Sequence, residues 1–322
     1  MGPGLVFGDG VGSPTRPGRV ENPTPPGSPY SSSFHFLGLA VLLVSLLAQA
    51  QSRVECSVLN SLILKEPVQY CVLVPPGYDP HSARRYPVLY FLHGLGNNEQ
   101  TLFNSGGWSV IEELRQRHKI GDFLIVAPAG KQSFYINSAD GKVRYNDFLI
   151  REFMPSIEGK YSIRRERRAR GVTGLSMGGY GALRLAFAYP ERFSSVSAES
   201  AALITESPTE LNTAMRSRTP LGRLLGAVFG NPINVAHWRQ NDPLALAKRN
   251  AAGVRKLAIY FNCGRNDDFG FEKGAEALDR QLEAEGIAHE FHLYPGDHSL
   301  DYFQQHIGET IEFHSRAFES AK

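Results

Sequence analysis

Gly171-Val-Thr-Gly174-Leu-Ser176-Met-Gly178-Gly179-Tyr-Gly181 decides how the rest of this chain is read. It holds Gly-x-Ser-x-Gly with Ser176 at the centre, between an apolar run and residues of helical periodicity. That pattern predicts a sharp strand-to-helix turn that lifts Ser176 into a cleft, with Gly174 and Gly178 letting the chain pass close on both sides. The first turn of the following helix then points free N–H groups toward whatever the serine attacks. Taken alone the pattern is weak, because ordinary loops match it by chance. The surrounding chain has to support it.

Working outward, apolar β-rich runs alternate with helical patterns. Val88-Leu-Tyr-Phe-Leu92 and Phe123-Leu-Ile-Val-Ala127 read as strands buried on both faces of a parallel sheet. Further strands are expected at 171–175, 193–198, 257–262 and 290–294, and helices at 108–118, 146–158, 271–285 and about 300–318. Pro155 must shorten or kink the second of these helices. This alternation predicts an α/β fold, a mostly parallel central sheet with helices on both faces. Residues 201–252 break the rhythm: Pro208, Pro220, Pro232 and Pro243 divide them into short pieces, with one helix expected over 221–229. An insertion here overhangs the C-terminal ends of the strands and reads as a small cap over a cleft.

Composition bounds the rest. The chain has 322 residues, 42% hydrophobic and 20% charged, with a formal net charge of +2. That is globular composition without the concentrated basic face of a nucleic-acid binder, so no nucleic-acid partner is expected. The basic run Arg164-Arg-Glu-Arg-Arg-Ala-Arg170 reads as a solvated turn. Residues 1 to about 33 are rich in Pro, Gly and Ser and predict disorder. The apolar stretch Phe34-His-Phe-Leu-Gly-Leu-Ala-Val-Leu-Leu-Val-Ser-Leu-Leu47, followed by Ala48-Gln-Ala50, has the form of a secretory signal cleaved after Ala50. The mature domain would then be residues 51–322, secreted or periplasmic. The leader is long for a signal, so the competing readings are a start downstream of Met1 or an uncleaved anchor, the only route to a membrane partner. Glu55 precedes Cys56, so no lipobox pattern is present and lipoprotein processing is not expected. In an oxidising compartment Cys56 and Cys71, in neighbouring extended segments, can pair across a hairpin, leaving Cys263 as a buried thiol.

A serine hydroxyl becomes a useful nucleophile beside a base that a carboxylate orients. In a sheet of this kind the carboxylate and the base belong on loops after later strands, in the order Ser, Asp/Glu, His. Cys263-Gly-Arg-Asn-Asp267-Asp268-Phe-Gly270 follows one such strand, and Pro295-Gly-Asp-His298-Ser follows the last. His298 is therefore the candidate base, and Asp267 or Asp268 the acid, with Asp297 ranked third. An oxyanion hole needs two backbone donors. Met177 N–H follows the nucleophile, and Leu95 N–H, in Phe91-Leu-His93-Gly94-Leu95-Gly96, is the second, with Gly94 allowing the turn. His93 is expected to brace that loop. The region of Trp108 and the loop around Tyr135 are candidate pocket walls. No His-x-x-x-His or paired Cys-x-x-Cys arrangement is present, so neither metal nor cofactor is expected.

Leu92-His-Gly94, Ala127-Pro-Ala-Gly-Lys-Gln-Ser-Phe-Tyr135-Ile-Asn-Ser138, Gly174-Leu-Ser-Met-Gly-Gly179, Cys263-Gly-Arg-Asn-Asp267 and Tyr294-Pro-Gly-Asp-His298 together resemble the esterase D/feruloyl esterase-like family of α/β hydrolases. The resemblance runs from residue 54 to the C-terminus. It implies an α/β-hydrolase fold and Asp267 as the acid, the aspartate three residues after the Gly of Cys-Gly. It also implies oxyanion amides at Leu95 and Met177. The usual Pro-Asp-Gly is Pro128-Ala129-Gly130 here, which removes a polar contact present in many relatives. The implied activity is serine carboxylester hydrolysis of small acyl or aryl esters, free or carbohydrate-linked, through an acyl-enzyme. Acyl transfer to a sugar or lipid hydroxyl is the alternative, and a non-catalytic binding module the third reading.

Overall fold

The computed structural model describes residues 51–215 and 220–320. The apolar segment 34–47 and the expected cleavage point after Ala50 lie outside the described residues. Among the described residues no helix is long and apolar enough to cross a membrane.

Strand β1 (Arg53–Ser61) and strand β2 (Glu66–Val74) form an antiparallel hairpin in which Cys56 lies opposite Cys71, their sulfurs bonded. β2 pairs antiparallel with β4 (Leu124–Pro128). The rest of the sheet is parallel: β3 (Val88–Leu92), β4, β5 (Arg170–Gly174), β6 (Ser195–Glu199), β7 (Ala258–Gly264) and β8 (Glu290–Tyr294). The 8-stranded order is β1-β2-β4-β3-β5-β6-β7-β8. From β3 the chain builds outward first to one side and then to the other. The loops after β3 and β5 therefore leave neighbouring strand ends in divergent directions and open a crevice between them. Ser176 follows β5.

Helices α1 (Gly107–Gln116) and α9 (Leu300–Glu319) cover one face. Helices α2 (Met154–Lys160), α3 (Met177–Ala188), α7 (Pro243–Arg249) and α8 (Phe271–Ala284) cover the other, where Val72, Tyr90, Val126, Val172, Val196 and Phe261 make an apolar core. Pro155 lies near the start of α2, and a π-helical turn, Leu149–Phe153, runs into it without a break. The missing N–H therefore falls inside a continuous helical stretch whose preceding turn is widened, the local distortion expected of the proline. A proline at the true start of a helix costs nothing of this kind, which corrects the reading of the insertion. Pro208, Pro220 and Pro243 open helices α4 (Pro208–Met215), α5 (Pro220–Phe229) and α7 instead of only dividing the segment. Between them α6 (Val235–Asn241) packs Trp238 onto Phe229, and the Asp242 carboxylate caps α7 through Leu244 and Ala245 N–H.

Under α9 the sheet changes character. β5, β6 and β7 present Thr173, Ser195, Ser197, Glu199 and Asn262, all buried. His314 of α9 answers with Nδ1 2.8 Å from Ser195 Oγ and Nε2 2.8 Å from Ser197 Oγ. Burial pushes the His314 pKa down to about 3, so the ring is neutral and both its nitrogens are satisfied by hydroxyls. The basic run before β5 is also more than a solvated turn. Arg170 is buried and makes a two-pronged bond to Glu158, 2.8 and 2.9 Å, because its position in β5 points the guanidinium under α2.

Candidate active site

Ser176 sits at φ 53° and ψ −115°, a strained conformation for a side chain with a Cβ. The strand and helix on either side hold it there. Its N–H donates to Glu199 O at 2.9 Å, and its carbonyl accepts from Tyr180 and Ala202 N–H, both at 3.0 Å. The turn is tight enough that a Cβ on Gly178 would lie 1.9 Å from Leu92 O, and one on Gly174 2.3 Å from Gly178 C. Both glycines are required by close approach, as the spacing around the serine predicts.

The loops after β7 and β8 bring His298 to Ser176. His298 Nε2 lies 2.9 Å from Ser176 Oγ, and Nδ1 lies 2.7 Å from Asp267 Oδ2. With Nδ1–H donating to the carboxylate, Nε2 is left as the acceptor for the hydroxyl proton. Asp267 Oδ1 accepts from Phe269 N–H at 3.0 Å and more distantly from Phe271 N–H, at 3.5 Å. Burial works to raise the Asp267 pKa, but the His298 bond and charge together with these amides outweigh it and hold the carboxyl below its ordinary value. Asp268, the equal of Asp267 by local pattern, turns outward and accepts His298 N–H at 3.3 Å. Three aromatic rings enclose the imidazole edge-on: Phe269, Phe271 and Phe303, at 4.9, 5.4 and 5.5 Å. Sequence reasoning missed these rings, although Phe269 lies in the predicted loop and Phe271 directly follows it.

On the other side, Leu95 and Met177 stand on the two loops that diverge from β3 and β5. Among the described residues neither N–H has a hydrogen-bond acceptor. Asn97 N–H donates to Gly94 O, closing a turn with Gly96 at φ +80°. The left-handed position is therefore Gly96 and not the expected Gly94. Neither conformation nor space demands a glycine at Gly94, where a Cβ would lie 3.5 Å from Ser176 Cβ, an ordinary van der Waals distance. His93 is buried behind this turn. Its Nδ1–H donates to Gly94 O at 2.8 Å, and its Nε2 accepts Gly130 N–H at 2.7 Å. Burial lowers the His93 pKa and keeps the ring neutral, with Nε2 free to accept.

Two expected pocket residues are displaced from that role. Tyr135 is fully buried, and its hydroxyl donates to His93 O at 3.0 Å. A ring packed on Gly181 and Tyr145 has no face left for a ligand, so Tyr135 is a brace. Trp108 Nε1 donates to Ser52 Oγ at 3.0 Å, at the start of the outermost strand. β1 is four positions from β5 in the sheet order, ~19 Å at ordinary strand spacing, so the indole is anchored at the sheet edge. Cys263 is buried, with its Sγ 3.7 Å from Asp267 Oδ2; burial pushes its thiol up to about 12. Among the described residues no cluster of His, Cys, Asp or Glu suits a metal ion.

An imidazole joined to a hydroxyl on one nitrogen and to a carboxylate on the other can take up the hydroxyl proton, while unpartnered amides nearby can receive a developing oxyanion. Comparison with known proteins agrees with such chemistry. The family model described as "Putative esterase" matches residues 61–313. An acetyl esterase of Caldicellulosiruptor saccharolyticus is 29% identical over 231 residues, covering 71% of this chain and 83% of that protein. An esterase of Mycobacterium tuberculosis is 30% identical over 244 residues, covering 70% of this chain but only 51% of that longer protein. Among solved structures, a ferulic acid esterase superimposes with a TM-score of 0.70 at 24% identity, covering 83% of this chain and 99% of that one. An S-formylglutathione hydrolase from Staphylococcus aureus superimposes with a TM-score of 0.67 at 21% identity, covering 82% and 99%. At these identities the structural likeness is one of fold. With the family model matched over most of its length, the chain belongs to the esterase family of α/β hydrolases and is a serine carboxylester hydrolase.

Proposed function

We propose that Ser176, His298 and Asp267 form the catalytic triad of this esterase, acting on small acyl or aryl esters through an acyl-enzyme. The observation that carries the reading is the single imidazole bridging Ser176 Oγ at 2.9 Å and Asp267 Oδ2 at 2.7 Å. Ser176 Oγ attacks the ester carbonyl as its proton passes to His298 Nε2, and Asp267 stabilises the imidazolium that results. Leu95 and Met177 N–H receive the oxyanion. Collapse breaks the C–O bond, and the leaving oxygen takes the proton from Nε2. Water, deprotonated by the same nitrogen, then attacks the acyl-enzyme and releases acid and serine. The names of the relatives, acetyl esterase and ferulic acid esterase, support both an acetyl and an aromatic acyl group as substrates.

Replacing the nucleophile tests this. Ser176→Ala should lower kcat on a p-nitrophenyl acyl ester by on the order of 10⁴-fold or more. It should also abolish the adduct that a fluorophosphonate leaves on the peptide containing Ser176. A variant that keeps most of its activity sinks the assignment.

We also propose that the mature protein is exported. The bonded Cys56–Cys71 pair supports an oxidising compartment. Secreted protein should then begin at Gln51 by N-terminal sequencing, and both thiols should resist alkylation until reduced. Free thiols in secreted protein would remove the support.

A further inference from the structure

Among the described residues, large hydrophobic side chains left exposed are few, and three of them gather at the mouth of the site. Phe269 is 62% exposed, Leu300 48% and Leu95 42%. Phe269 lies in the loop after β7, beside Asp267. Its ring stacks on Phe271 at 5.5 Å and meets the His298 ring edge-on at 4.9 Å. It is held out by its backbone, because the N–H of Phe269 is tied to Asp267 Oδ1 at 3.0 Å. Leu300 begins α9, two residues beyond His298, and Phe303 below it closes the third side of the imidazole. Phe269, Phe271 and Phe303 thus make an apolar collar around one ring, open to solvent at Phe269, and Leu300 continues that surface past Phe303 along a groove it shares with Leu175 and Gln304.

Where the collar lies says what it touches. In the cycle proposed above, the leaving oxygen must come within hydrogen-bond reach of His298 Nε2 to receive its proton as the C–O bond breaks. The alcohol half of the ester therefore stands on the His298 side. The carbonyl oxygen stands on the Leu95 and Met177 side. Groups that crowd around His298 are thus neighbours of the alcohol, whatever acid is attached. Phe269 and Leu300 offer that alcohol apolar surface and no hydrogen-bonding side chain.

We infer that Phe269, with Leu300, is a specificity-determining residue that binds an apolar, aryl or alkyl, alcohol portion of the ester. The inference rests on the triad reading above. It distinguishes esters by their leaving group, whereas the oxyanion amides treat all of them alike. Edge and face contacts with one aromatic ring amount to about 0.5–1.5 kcal/mol beyond simple burial, which corresponds to about two- to tenfold in selectivity.

The test compares benzyl acetate with methyl acetate, which share an acyl group and differ in the alcohol. Wild-type enzyme should prefer the benzyl ester in kcat/KM. Phe269→Ala should lower the benzyl-to-methyl ratio by about five- to tenfold, mainly through KM, and Leu300→Ser should lower it by about two- to threefold. Fluorophosphonate labelling of Ser176 in the wild type reads the triad separately, since fluoride is a leaving group that needs no collar. Equal loss on both esters would make Phe269 a prop for His298 and overturn the inference while leaving the triad standing. An unchanged ratio in both variants overturns it equally. Failure to label Ser176 would instead remove the triad reading, and the inference with it.

Discussion

The two sides of the site are made of different materials. The amide side comes from the loops after β3, β4 and β5 and is held by neutral hydrogen bonds. His93 ties Gly94 to Gly130, Tyr135 ties back to His93 O, and Gly96 supplies a left-handed turn. The charge side comes from the loops after β7 and β8. It is held by the Asp267–His298 bond and by aromatic edges around the imidazole. The difference follows from what each side has to do in the proposed cycle. Amide dipoles that receive an oxyanion work best when fixed beforehand in a dry setting, and neutral donors can be buried without a charge to compensate. A base that gains and loses a proton needs a carboxylate close by and water-accessible space around it. Substitutions should therefore cost chemistry on the charge side and positioning on the amide side.

Asp267→Asn tests the charge side most severely. An amide in place of the carboxylate can donate to Nδ1, favouring the tautomer that leaves Nε2 protonated and unable to accept from Ser176. A fall in kcat/KM of about 10³–10⁴-fold is expected, with the melting temperature little changed. A loss under tenfold would mean that Asp268 can replace it, and the two aspartates would have to be treated as a pair.

Glu199 lies under both sides, its backbone carbonyl holding Ser176 N–H and its carboxyl buried toward α9. Burial pushes that carboxyl up to about 8. The Glu309 charge adds to the rise, while the neighbouring Thr310 hydroxyl, with no well-formed bond to it, opposes the rise only in part. An acid whose pKa is raised by folding holds its proton more tightly when folded. Its contribution to stability is full below the ordinary carboxyl range and is lost as pH rises toward about 8. Glu199→Gln removes this dependence, so its stability relative to wild type should improve by roughly 3 to 4 kcal/mol between pH 5 and pH 8. Denaturant midpoints that run parallel across that range would show that Glu199 is already ionised.

Tyr135→Phe is the mildest probe, and it addresses the amide side. It deletes one hydroxyl and leaves His93 O without that donor, so about 1 kcal/mol of stability and a few-fold of kcat should be lost. The pH profile of kcat/KM should keep its shape, because the ring lies away from the titrating pair. Combined with Asp267→Asn, the two losses should add if the sides are independent. Strong coupling between them would break the comparison.

Much of the charge side was legible in the sequence. The two aspartates follow the buried strand β7 and His298 follows β8, a short, partly exposed strand at the edge of the sheet, and both the strands and the Gly- and Asp-rich turns after them are local patterns. The elbow glycines were legible for the same reason. Less of the amide side could be read. Gly94 looked like the turn glycine, and the turn belongs to Gly96. Tyr135 and Trp108 looked like pocket walls because aromatics in loops after strands often are. One is instead buried against Gly181, and the other is bonded to Ser52 at the sheet edge.

The sequence by itself determined the alternation of strand and helix, and with it a parallel sheet and the order Ser, Asp, His along strand ends. These follow from periodicity and turn chemistry, which act over a few residues. Only the tertiary structure decided what meets at Ser176. The order β4-β3-β5 sets the His93 loop, Gly130 and the elbow side by side, and β7-β8 turns Asp267 inward and Asp268 outward. It also closes Phe269, Phe271 and Phe303 around one imidazole, from segments that no local pattern connects. Contacts between loops far apart in the chain depend on strand order and side-chain packing across the sheet, and a one-dimensional pattern carries neither.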